Sequence, residues 1–179
     1  MFKKFSIYKY EFISTFFIIA LGVILHFTYD FFNNNVIVGI ISPVNESVWE
    51  HLKLLYVPII FMACLSGFCV EFKHDNYWCS KARGILYAML FTIIFFYTYS
   101  GILGYNIGII NIIIFVLSVI VSQYSVIQNL RSNKVCNKNK AIIFLIILGI
   151  LFVVFTFNPP KIALFIDPIT GRNGIWIIK

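Results

Sequence analysis

The sequence predicts an all-α integral membrane bundle of five transmembrane helices, and three observations lead there. Of its 179 residues, 60% are hydrophobic and only 12% charged, where soluble domains carry roughly a quarter charged. The apolar residues gather into five runs close to the ~20 residues that cross a bilayer as a helix. The basic residues fall in short clusters between those runs, as topology signals do. Residues 1–179 therefore read as a single transmembrane domain.

The first span, about 12–29, follows the basic start MFKKFSIYKY. No small-x-small cleavage site follows it, so it reads as an uncleaved helix and not a signal peptide. A loop, 30–53, leads to the second span at 54–72 and then the third at 85–103. The turn GILGYNIG is short and uncharged; its Gly104 and Gly108 suit a glycine hairpin. The fourth span covers 107–127 and the fifth 141–157, where Asn158-Pro159-Pro160 stops the helix. A tail, 158–179, remains.

Charge sets the orientation. Lys3, Lys4, Lys9, Lys73, Lys81, Arg83, Arg131, Lys134, Lys138 and Lys140 fall on one side of a five-span chain, against Lys53, Lys161, Arg172 and Lys179 on the other. The expectation is a multi-pass cell-membrane protein with a cytoplasmic N-terminus and an extracytoplasmic C-terminus. The net charge of +7 does not point to nucleic acid, because no basic stripe is interleaved with stacking aromatics. The expected partner is the lipid bilayer; no protein partner is named by the sequence.

Two smaller patterns read as structure. Cys64, Cys69, Cys79 and Cys136 lie in an apolar run or in loops on the cytoplasmic side, so they are expected to be small packing residues without a disulfide framework. Asn111, Ser118, Ser122 and Ser125 share one face of the fourth span, where small hydroxyls permit close helix packing.

The chemistry concentrates in SPVNESVWEHLK, residues 42–53. Ser42 can cap a helix and Pro43 suits its first position, with Glu46 in the first turn. If the helix starts there, Glu46 and Glu50 stack on one face and His51 points about 100 degrees from Glu50. Asn45 and Trp49 form the neighbouring strip, and Pro58 should bend the helix farther along. At the same end, His26 and Asp30 lie four apart on the first span, and the tail adds Asp167 and Arg172 in FIDPITGRNG. Ionisable residues at a membrane boundary are costly unless paired or hydrated, which marks them as a candidate site.

Three uses of this cluster follow from the residue types. Glu46 and Glu50 can simply cap and solvate a helix start. His26, Asp30, Asn45, Trp49, Asp167 and Arg172 can form a pocket for a lipid headgroup or small polar ligand. A divalent metal such as zinc can be held by His26, His51 and Glu50 with an open position for water. In that case, or in a metal-free version, Glu50, His51 and Glu46 would carry the acid–base work of a lipid-directed hydrolase or transferase. The spacing matches neither HExxH nor HxxEH. A structural or accessory subunit is the remaining class.

At SPVNESVWEHLKLLYVP, NPPKIALFIDPITG and HFTYD, the sequence resembles an uncharacterised family of small multi-pass membrane proteins of clostridia-like bacteria. The resemblance implies a bacterial inner-membrane protein and carries no activity with it. Ceramidase-like membrane hydrolases are a more distant comparison; their histidine-rich zinc pattern is absent here.

Overall fold

Five apolar helices pack side by side, each long enough to cross a membrane. The computed structural model describes residues 6–69, 74–132 and 135–175. The helices are α1 (Ile7–Phe31), the short α2 (Val48–His51) running into α3 (Lys53–Cys69), α4 (Tyr77–Leu103), α5 (Gly108–Arg131) and α6 (Lys138–Phe157). Two 3-10 turns, Val38–Ile40 and Ala163–Phe165, lie in the connections, and no strand forms among the described residues. Lys3, Lys4, Lys73, Lys134 and Lys179, which entered the charge count above, lie outside the described residues.

The α2–α3 rod is the core of the bundle. Val48, Leu52, Leu55, Ile59, Met62 and Ser66 recur at spacings of three and four and are all buried, which is one face of a 3.6-residue helix. Helical bonds run unbroken through the join, from the Leu52 N–H to the Val48 carbonyl (3.2 Å) and from the Tyr56 N–H to the Leu52 carbonyl (3.0 Å). Pro58 lies inside α3 and has no N–H for the Leu54 carbonyl. Gly22 of α1 sits against that carbonyl: a Cβ there would lie 3.0 Å from the Leu54 oxygen and 2.4 Å from the Phe115 ring. A larger residue would have to push the Phe115 ring aside and crowd this carbonyl.

The rod does not begin where the sequence suggests. Ser42 and Pro43 precede a run of bends, and the helix starts at Val48 with Ser47 as its cap, its hydroxyl accepting from the Glu50 N–H at 3.3 Å. The Ser42 hydroxyl instead donates to the Leu25 carbonyl at 2.6 Å, tying the loop to α1. Glu46 therefore precedes the helix and does not stack over Glu50.

Around the rod, α4 and α5 form a hairpin closed by Gly104, whose φ of 77° is left-handed and whose N–H caps the Ser100 carbonyl at 2.8 Å. The serine face of α5 looks at α4: Gly84 meets Ser122, and the Ser118 hydroxyl lies 2.7 Å from that of Thr92. The outward faces carry exposed Phe12, Phe16, Ile94, Ile113, Ile146 and Ile150, an apolar belt that water would not tolerate on a small protein.

Lys81, which the sequence reading assigned to a loop, is inside. Lys81 is fully buried, and its ammonium lies 2.6 Å from the equally buried Glu11 carboxylate. Gln123 of α5 donates to the same carboxylate oxygen at 3.0 Å. The cysteines also depart from expectation: Cys79 on α4 is disulfide-bonded to Cys136 ahead of α6, leaving Cys64 and Cys69 as thiols. The bond ties two elements that flank the end of the bundle bearing Lys138 and Lys140.

Candidate metal centre

The opposite, loop-rich end gathers the residues from which the site is built. α1 brings His26 in its last two turns, the segment before α2 brings Glu46, and the first turn of α2 brings His51. Each of the three offers one ligand atom, and those atoms lie within 4.8 Å of one another. The His26 and His51 rings are 5.2 Å apart between centroids.

His51 is aimed by its own backbone. Its Nδ1 lies 3.0 Å from the Ser47 carbonyl, an oxygen that can only accept, so Nδ1 carries the hydrogen. Nε2 is then the free lone pair of the neutral ring, and it faces the Glu46 carboxylate at 3.4 Å. A lone pair facing a carboxylate is repulsive unless a positive charge intervenes. That charge is either a second proton on the ring or a cation between the two groups. Two ligands ~2.0–2.1 Å from a tetrahedral zinc lie about 3.3 Å apart, which the observed separation matches. The carbonyl that holds the other ring nitrogen is the usual outer partner of a metal-binding histidine. In the doubly protonated form, His51 would donate to Glu46, and that hydrogen bond would hold the Glu46 carboxyl below the ordinary carboxylate range, with burial working against it. His26 completes the set, and its Nδ1 is buried with no hydrogen-bond partner among the described residues.

Glu50 is turned the other way. It is 2% exposed and lies 2.6 Å from the fully buried Lys53 ammonium. It also accepts from the Val44 N–H at 3.0 Å and from the Thr156 hydroxyl at 3.0 Å. Lys53 further donates to the Gly39 carbonyl (2.8 Å) and to Thr156 (2.6 Å). All of its capacity is spent on joining the loop, α2 and α6, so the structure gives Glu46 and not Glu50 as the carboxylate beside the imidazoles.

The other sequence candidates divide similarly. Asp30 and Arg172 are exposed. Asp167 organises its own turn, accepting from the Ile169 N–H (2.7 Å) and the Thr170 hydroxyl (2.8 Å). Asn45 clamps the tail, donating to the Gly174 carbonyl at 3.1 Å while its oxygen takes the Ser47 N–H. Trp49 is buried among Phe152, Phe155 and Phe165. Asp167, Asn45 and Trp49 thus hold the frame around the site.

Beside the centre lies a cavity of about 190 Å³, with Glu46 and His51 in its lining. Leu54, Leu55, Phe96, Ile114 and Phe115 form apolar walls, Thr92, Asn106 and Asn111 supply polar groups, and Pro168 and Ile169 of the tail contribute a side. Sequence reasoning missed this space, since its lining comes from α4, α5 and the tail in register with the α2–α3 rod. Thr156 was also missed as a site support, whereas a lysine three residues after Glu50, at helical spacing, already pointed to the Lys53 pairing.

No curated protein and no solved structure matches the chain. A family model spans residues 1–175, and it describes a family of unknown function, DUF6512. With nearly its whole length matched, this chain belongs to the DUF6512 family.

Proposed function

We propose that the protein is a multi-pass bacterial membrane protein that binds a divalent transition metal, zinc by its ligand chemistry, through His26, His51 and Glu46. One observation carries the reading: His51, its Nδ1 tied to the Ser47 carbonyl, turns Nε2 to the Glu46 carboxylate at 3.4 Å, with His26 alongside. Two imidazoles and a carboxylate form a standard zinc set with an open fourth position. Beyond Glu46 and His51, no carboxylate or imidazole lines the cavity among the described residues. General acid–base work there has no spare group, which favours binding over a hydrolase or transferase.

Protein purified in mild detergent without chelator should carry about one equivalent of zinc. His51→Ala and Glu46→Gln should lose it, whereas Asp30→Asn should keep it. Wild-type protein without metal, equally heat-stable with and without chelator, would identify the pair as an imidazolium–carboxylate bridge and sink the metal reading.

The five apolar spans and the basic clusters support a cytoplasmic N-terminus, which places the metal ligands outside. Removing buried Lys81 and Lys53 from the two sides leaves 9 basic residues against 3, so the bias persists. The Cys79–Cys136 bond pulls the other way, because disulfides last in oxidising compartments and it sits at the basic end. Thiol labelling decides between the two signals. Asn34→Cys in intact cells should react with an impermeant reagent over the background of Cys64 and Cys69. Its silence alongside a labelled, reduced Cys136 would invert the orientation.

A further inference from the structure

We infer that the cavity beside the metal ligands takes the chain of a single-chain amphiphile whose carboxylate fills the metal's open position. This rests on the metal reading above and adds the class of ligand. Glu46 and His51 belong to both the centre and the cavity lining, so a molecule coordinated at the one extends directly into the other. The apolar walls it would meet are Leu54, Leu55, Phe96, Ile114 and Phe115, which welcome an acyl chain.

Charge selects the headgroup. A divalent ion with the single negative charge of Glu46 keeps one positive charge, and one carboxylate neutralises it. No Lys or Arg lines the cavity among the described residues, so the second charge of a phosphate monoester would go unmatched in an apolar setting. Size selects the tail. About 190 Å³ falls below the ~300–1,000 Å³ of drug-sized sites, which suits one chain better than two.

Asn111 gives the cavity a fixed donor. The Ile107 N–H donates to the Tyr99 hydroxyl oxygen at 3.2 Å, so the single Tyr99 proton goes to the Asn111 Oδ1. The Asn111 amide oxygen is thereby occupied, and its NH₂ remains for a ligand oxygen.

The test compares dodecanoate with dodecanol on zinc-loaded and chelator-stripped protein, read by native mass spectrometry with metal content measured in parallel. Zinc-loaded protein should retain dodecanoate about tenfold better than dodecanol and about tenfold better than stripped protein does. Ile114→Trp, which fills the cavity, should keep zinc and lose dodecanoate. If zinc binds stoichiometrically but acid and alcohol are retained alike, or stripping changes nothing, the ligand class is overturned and the metal site stands. If zinc itself does not bind, both readings fall together.

Discussion

Lys53→Met is expected to lower stability by about 3–5 kcal/mol, the usual cost of removing one partner from a buried pair. The loss has two parts. Glu50, 2% exposed, keeps only the Val44 N–H and the Thr156 hydroxyl as donors. The Gly39 carbonyl and Thr156 also lose the ammonium that joined the loop to α6. Reversible unfolding in mixed micelles measures the change. The Glu50→Gln, Lys53→Met double variant should recover a large part of it, since the uncompensated charge is then gone. Strict additivity of the two single variants would show that the pair is not coupled.

Lys81→Met should cost a similar amount, about 3–5 kcal/mol, by the same logic at the other end of the bundle. Here the setting is harsher. Glu11 and Lys81 are both fully buried between helices, within spans long and apolar enough to cross a membrane, where an unpaired charge is costly. Gln123 donates to the Glu11 carboxylate (3.0 Å) and to its backbone carbonyl (2.9 Å), which holds α5 to α1 but cannot neutralise a charge. Gln123→Leu should therefore cost much less than Lys81→Met, on the order of the 1–3 kcal/mol of a lost buried hydrogen bond. Equal losses in the two variants would mean that hydrogen bonding, and not charge pairing, dominates the cluster.

This second pair also explains which part of the fold the sequence hides. The five spans, the Gly104 hairpin and the stop at Asn158-Pro159-Pro160 follow from apolar runs and helix breakers, and they are legible. The starts of the first and third spans are not. Read from hydropathy they begin at 12 and 85, whereas α1 and α4 begin at Ile7 and Tyr77. Those extra turns contain Glu11 and Lys81, which look like loop charges until the partner 70 residues away is in place. Arg83 is similarly accommodated by the Asn129 carboxamide at 2.7 Å.

The candidate site was legible in its inventory and not in its aim. His26, Glu46 and His51 stand out by residue type at the end of an apolar run. Which of Glu46 and Glu50 faces the imidazoles depends on where the helix starts, and two serines compete for that role. Ser42-Pro43 is the more conspicuous start, yet Ser47-Val48-Trp49-Glu50 is itself a capping-box pattern. Only half of the box forms: the Ser47 hydroxyl takes the Glu50 N–H, while Asn45 replaces Glu50 at the Ser47 N–H. Glu50 is free to leave the box because Lys53 claims it.

Thr156 gives the tail a mechanical role. Its hydroxyl lies between Lys53 and Glu50, and its backbone carbonyl accepts from the Ile175 N–H at 2.9 Å. One residue thus bolts the returning chain to the ion pair, and Glu50 passes that fixation to Val44, two residues before Glu46. Tension applied to the tail is transmitted through a short rigid linkage to the loop that carries the carboxylate.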